Sequence, residues 1–328
     1  MSLFVPTLLG MTFSIAFIFT DGIFVGHGIG SHGLAAINLV GPMMMLINGL
    51  GMMLGMGASV VVAIHLSHGN TKAARINVTQ AFAAGVACSL LMSVLCYLFP
   101  NAVLTLLGAK GTLYSHALEY YLWFMPTCLL NMISVIGLFA IRLDGSPRYA
   151  MLSNMLPSII NGILDYIFIF PLQMGLKGAS LATDIGGLVG ALMVVYYMVF
   201  KTKKLKLYPV KMSLTSLRLT MRNLGYISKV GLSAFLGEIS VAVMMLTGNW
   251  MFKRYLGEYG VAAYSVSCYL FPVVYMVYNA VAASSQPIIS FNHGASEKKR
   301  VHRTLRFSLL VAVGLGVLVS LMTTHGIF

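Results

Sequence analysis

Long apolar blocks separated by short polar gaps dominate the chain. Nine blocks reach the roughly 20 apolar residues that a helix needs to cross a bilayer. They lie near 3–25, 38–64, 79–107, 117–141, 151–171, 178–200, 226–252, 261–290 and 305–324. Glycines and prolines break several of them, which membrane helices tolerate where neighbours satisfy the freed backbone groups. The pattern predicts an all-α, polytopic membrane protein with nine transmembrane helices.

Composition agrees with that reading. Of 328 residues, 58% are hydrophobic and 9% are charged, where a soluble domain carries about 25% charged residues. Mean hydropathy is +0.87. The net charge of +13 would suggest nucleic acid in a soluble domain, but here the basic residues sit in the gaps between apolar runs. Counted in alternate gaps, 17 Lys and Arg fall on one side and four (Lys110, Lys177, Lys253, Arg254) on the other. The positive-inside rule then puts the N-terminus in the cytoplasm and the C-terminus outside. The gap at 201–225 is the longest and is basic, as expected of a solvated connector or a linker along an anionic leaflet. The four cysteines, Cys88, Cys96, Cys128 and Cys268, all lie in apolar runs without a C-x-x-C pair, which argues against a disulfide framework or zinc site. No secretory signal peptide is visible.

The chain also repeats itself. Gly33-Leu-Ala-Ala matches Gly260-Val-Ala-Ala at an offset of 227, and His68-Gly69 through Arg75 matches His293-Gly294 through Arg300 at an offset of 225. Both matches fall at equivalent places, after helices one and seven and after helices two and eight. Two parallel six-helix halves follow, with a pseudo-two-fold axis along the membrane normal and a substrate site between them. The predicted division is an N-terminal bundle over 1–200, a basic linker over 201–225 and an incomplete C-terminal bundle over 226–328. By this arithmetic the second half lacks its last three helices, so the chain reads as a shortened form of a twelve-helix protein.

Acids inside apolar helices cost about 2.5–3.5 kcal/mol each near the bilayer centre on insertion scales, which makes them functional candidates. Asp21, Asp165, Asp184 and Glu238 are placed so. Asn161 lies one turn before Asp165 on the same helix face, and an amide beside a carboxylate suits a small cation or a shared proton. Thr183 adjoins Asp184 and offers a further oxygen. Glu238 and Asp184 are auxiliary candidates. With helices ten to twelve absent, Glu238 is expected to take up a proton or draw in water. Pro6 is positioned to bend helix one near Asp21. Gly28-Ile-Gly30-Ser-His-Gly33 satisfies G-x-G-x-x-G, but no strand-turn-helix surrounds it. Asp21 with Asp165 lacks the motif setting of an intramembrane protease. No nucleophile–base pair or metal cluster points to an enzyme.

Several stretches together resemble the multidrug and toxic compound extrusion (MATE) transporters. They are Asp21-Gly-Ile-Phe-Val-Gly-His-Gly, Arg142-Leu-Asp-Gly-Ser-Pro-Arg, Asn161-Gly-Ile-Leu-Asp165 with Gly175-Leu-Lys-Gly-Ala-Ser-Leu-Ala-Thr183, and Gln286-Pro-Ile-Ile-Ser-Phe-Asn-His-Gly. The resemblance implies a 6+6 helix fold and a secondary transporter that exports small organic, often cationic, compounds in exchange for H⁺ or Na⁺. It places the coupling cation at Asp21, Asn161, Asp165 and Thr183, the helix-one bend at Pro6, and a second-half glutamate at Glu238. No cofactor beyond the coupling ion is expected, no metal beyond Na⁺, and no nucleic acid. Partners are the substrates and membrane lipids of the inner membrane. A flippase for lipid-linked sugars shares the architecture but favours a cationic cavity, whereas the buried ionisable groups here are acidic. A non-transporting remnant or scaffold is the reading from a different class. The shortened chain alone is expected to insert without transporting.

Overall fold

The computed structural model of the chain describes residues 4–107, 109, 112–209 and 213–324. Lys110 and Lys211 lie outside these, as do the side chains of Lys253, Glu258 and Cys268. The described residues are all-helical. The helices are α1 Phe4–Gly28, α2 Ser31–Ser67, α3 Thr71–Leu98, α4 Pro100–Leu106, α5 Thr112–Leu143, α6 Pro147–Ile169, α7 Gly175–Tyr196, α8 Leu214–Gly294 and α9 Lys298–Thr324. A π-helical turn over Tyr197–Lys201 follows α7. Among the described residues, seven segments are long and apolar enough to cross a membrane, and the chain is a multi-pass membrane protein.

These α-helices are not the predicted nine. The run at 79–107 divides at Phe99, because Pro100 cannot continue the hydrogen-bond ladder of α3. The gap expected between 252 and 261 is helical, so α8 is one run of 81 residues. Straight, it would measure about 120 Å, but it cannot be straight. Near its start the Ile227 carbonyl lies against Gly57 of α2, and at its end Gly294 lies against Ile64. Those contacts are roughly 10 Å apart along α2 and roughly 100 Å apart along a straight α8. The helix therefore turns back on itself. Glu238 meets Tyr275 across the two arms, so the reversal lies between these two residues.

The two arms embrace α2. The outgoing arm runs antiparallel to it, with Ile227 against Gly57, Gly231 against Met53 and Phe235 against Gly49. Two glycines make this approach possible. A Cβ on Gly57 would stand 2.1 Å from the Ile227 carbonyl oxygen, and one on Gly231 would stand 1.9 Å from that of Met53. Small residues at a crossing are the membrane protein's route to close backbone contact. Gly231→Leu is expected to prise α8 from α2 and to destabilise the fold by about 3 kcal/mol, the upper end of overpacking costs. An unchanged midpoint in a detergent-unfolding titration would contradict this contact.

The returning arm runs parallel to α2. Ser59 Oγ donates to Gln286 Oε1 at 3.2 Å, and Gly294 packs on the Ser67 hydroxyl. The α2 end and the α8 end therefore meet.

A pair of tyrosines braces α3 to α5. Pro126 inside α5 has no N–H for the Leu122 carbonyl, and Tyr97 Oη donates to that oxygen at 2.9 Å. Pro100 likewise leaves the Cys96 carbonyl free, and Tyr121 Oη donates to it at 3.0 Å. Each helix thus repairs the other's proline. Tyr97→Phe and Tyr121→Phe are each expected to cost about 1 kcal/mol of stability. Thermal unfolding of the single and double variants would check this, and two neutral substitutions would refute it.

The basic connections gather at one end. Arg75 Nε at the start of α3 donates to the Lys204 carbonyl at 2.8 Å, and Tyr208 N donates to Thr79 Oγ1 at 2.9 Å. The first stretch of the predicted solvated linker is therefore docked, with Leu205 fully buried.

Candidate functional site

Helices α1 and α6 lie side by side in parallel, with contacting residues 141–144 positions apart. Gly10 packs on Met151 and Gly28 on Ile169. This register sets Asp21 opposite Asp165, roughly 6 Å in from the end of α6 by helical rise. The two carboxyls face one another. Asp165 is completely buried, and neither of its oxygens has a hydrogen-bond partner of normal length. Asn161 stands one turn away and approaches without closing a short bond. A buried carboxyl with no donor costs several kcal/mol unless a proton or a cation joins it.

Thr183 reaches the same place from α7. Its hydroxyl lies 3.5 Å from the Asn161 amide nitrogen and donates to its own Ala179 carbonyl at 3.1 Å. Small residues set the distance between the helices. A Cβ on Gly186 would stand 2.9 Å from the Pro157 carbonyl and 3.0 Å from Asn161 Cβ. Asp21, Asn161, Asp165 and Thr183 are thus brought together from α1, α6 and α7. One turn beyond, Phe24 stands edge-on to Phe170 at 5.8 Å, over a buried layer of Val25, Ile169 and Ala179. That apolar layer closes the site toward the end opposite the basic connections.

Toward the basic end the interface stays polar. Asn154 Nδ2 donates to Ser14 Oγ at 3.0 Å and to the Gly10 carbonyl at 3.2 Å, and Ser158 Oγ donates to the Asn154 carbonyl at 3.0 Å. Asn154, Ser158, Asn161 and Asp165 therefore form one stripe along α6, spaced four, three and four residues apart. Sequence reasoning took only its last two members. The spacing was a legible signal for the other two, because it is that of one helix face.

The remaining candidates stand elsewhere. Asp184 accepts a hydrogen bond from the Thr127 hydroxyl of α5 and shares no hydrogen-bond partner with Asp165. Tyr120, buried on α5, stacks on Phe124 and lies close enough to Asp21, Asp165 and Asp184 to feel all three charges. Nothing in the sequence marked it among 16 tyrosines. Glu238 is buried, with Asn48 of α2 and Tyr275 of the returning arm as hydrogen-bonding neighbours. The expectation that it lacks a protein partner is corrected, because the fold-back of α8 supplies one. Pro6 sits in the first turn of α1, where a missing N–H breaks no helical bond. Pro42, Pro126 and Pro157 lie inside α2, α5 and α6, and Pro272 and Pro287 lie inside α8.

The MatE family model matches residues 6–167 and 234–327, well over half of the chain. The chain belongs to the MatE family. Multidrug export protein MepA of Staphylococcus saprophyticus is 25% identical over 310 residues, covering 94% of this chain and 67% of that protein. MepA of Staphylococcus aureus MSSA476 is 25% identical over 293 residues, and the match spans 63% of its length. The chain thus spans about two thirds of the length of these relatives. Among solved structures, a multidrug resistance MATE transporter in an outward-facing conformation superposes with a TM-score of 0.85 at 24% identity, covering 98% of this chain and 70% of that one. A MOP superfamily transporter from Pyrococcus furiosus, described by the reverse polarity of its binding pocket, gives 0.85 at 23% identity with the same coverage. These likenesses establish the MATE fold for the helices above.

Proposed function

We propose that this MatE chain works in cation-coupled export of small organic, often cationic, compounds by alternating access, and not as an enzyme. H⁺ or Na⁺ is taken up between Asp21 and Asp165, with Asn161 and Thr183 as neutral oxygen donors. The observation that carries this is Asp165, buried opposite a second carboxylate, with Asn161 approaching and no short hydrogen bond closed on either oxygen. Such a pair is stabilised only by the positive charge that joins it. The polar stripe through Asn161, Ser158 and Asn154 offers that charge a route toward the basic end, while the Phe24–Phe170 layer blocks the opposite one.

In this reading the basic end is cytoplasmic in an inner membrane, and the N-terminus is cytoplasmic too. The same reading divides the chain into a bundle over 1–200, a linker over 201–225 and a second unit over 226–328, and the two stretches of the family match fall within the first and the last of these. The acidic character of the buried groups favours cationic substrates over the phosphate of a lipid-linked sugar. Magnitudes are adequate: one charge crossing 100 mV supplies about 2.3 kcal/mol, and each tenfold substrate gradient costs about 1.4 kcal/mol.

Proteoliposomes loaded with a cationic dye test the proposal. Separately imposed H⁺ and Na⁺ gradients are expected to differ in their effect on efflux, and the effective one identifies the ion. Export of the dye that proceeds equally with and without either gradient would refute coupling.

A further inference from the structure

Asp184 is the acid that the coupling site leaves unused, and it borders a cavity of its own. The cavity, about 420 Å³, opens between α3, α5 and α7. That volume lies within the roughly 300–1,000 Å³ of pockets that hold drug-sized ligands. Its wall is apolar, with Leu90, Pro126 and Leu188 among the lining residues, and Asp184 is its only ionisable acid or base apart from the Tyr97 phenol. Tyr97 presents an aromatic ring at the same cavity, its hydroxyl already committed to the Leu122 carbonyl. Ser93 also lines the wall, its hydroxyl beside the Cys128 thiol.

The chemistry of this set is specific. Asp184 has the Thr127 hydroxyl as a hydrogen-bond donor, but among its interacting groups there is no Lys or Arg. An unneutralised carboxylate in an apolar wall inside a bilayer attracts one positive charge, and a ring beside it adds cation–π attraction. An inorganic ion would leave the rest of the wall unfilled. We infer that the cavity between α3, α5 and α7 is a binding site for a lipophilic organic monocation, with Asp184 as its counter-charge and Tyr97 as its aromatic contact. The site is separate from the Asp21–Asp165 pair, and the inference does not depend on transport.

Tetraphenylphosphonium is the probe: a single delocalised charge in an apolar shell. Its equilibrium binding to the purified full chain in maltoside micelles is expected to be saturable. Asp184→Asn, which keeps the shape and removes the charge, is expected to weaken it about tenfold or more. Leu188→Trp, which fills the cavity and leaves Asp184 in place, is expected to weaken it to a similar extent. Asp165→Asn is the comparison that separates the cavity from the coupling site. Binding of the neutral analogue triphenylphosphine oxide is expected to be indifferent to Asp184→Asn. Unaltered phosphonium binding in both Asp184→Asn and Leu188→Trp would overturn the inference. So would binding that is lost in Asp165→Asn and kept in Asp184→Asn. If Asp184→Asn does not fold, Leu188→Trp against wild type decides alone.

Discussion

Asp165→Asn is expected to abolish cation binding and, at the same time, to make the protein more stable. The two effects share one cause. Asp165 is fully buried beside Asp21, and no donor satisfies either oxygen. Folding has to desolvate that group, at a cost of several kcal/mol that only a bound proton or cation offsets. The amide removes the charge and brings a donor, which the Asp21 carboxylate opposite can accept. A rise in thermal midpoint of several degrees is therefore expected, corresponding to about 1–3 kcal/mol recovered. Binding of Na⁺ or release of H⁺, followed calorimetrically on the purified chain, is expected to fall at least a hundredfold. Destabilisation with binding intact would show that Asp165 is a structural group, and it would remove the basis of the coupling proposal. Asn161→Ala is expected to act more weakly, since it withdraws a neutral donor and leaves both carboxylates in place.

Much of this arrangement was legible before any coordinates. Apolar run lengths gave the all-helical, multi-pass character but neither the break at Phe99 nor the continuity of α8, and a carboxylate four residues after an amide gave the shared face of Asn161 and Asp165. What escaped the sequence depended on which helices become neighbours. Helical periodicity reports that Asp184 and Thr183 diverge by about 100° around α7, but not that Thr127 and a cavity wait on one side and Asn161 on the other. Glu238 looked unpartnered because its neighbours, Asn48 and Tyr275, are 190 positions before and 37 after it. The tyrosine braces escaped for the same reason. A proline announces a free carbonyl, but not which distant side chain will claim it. Asp144 lies outside every apolar run, so the pattern does not single it out, yet it is buried and accepts four hydrogen bonds.

Asp144→Ala is expected to release the chain after α7. Asp144 follows α5 directly and is only 5% exposed. Its Oδ1 accepts from the backbone N–H of Lys204 at 2.7 Å and of Leu205 at 3.0 Å, while its Oδ2 accepts from Lys203 N and from Tyr197 Oη, both at 2.8 Å. Three successive backbone N–H groups converging on one carboxylate form an anion nest, filled here by the protein's own side chain. The π-turn over Tyr197–Lys201 makes it possible. It brings Thr202 N back to the Tyr197 carbonyl at 2.9 Å, and so turns the following amides inward. Removing the carboxylate leaves those donors without an acceptor in a buried place, at about 1–3 kcal/mol for each that water cannot reach. A total loss of about 3–5 kcal/mol follows, as for breaking a buried ionic contact by deleting one partner. Asp144→Asn retains one carbonyl oxygen, so it is expected to cost roughly half as much. Limited proteolysis separates this from a general loss of stability. Wild-type chain is expected to resist trypsin at Lys203, Lys204 and Lys206, while Asp144→Ala is cut there first, before any site within α3 or α5. Equal resistance in both would mean that Arg75, Thr79 and the burial of Leu205 suffice to dock the segment. In that case Asp144 would not be what fixes the path from α7 toward α8.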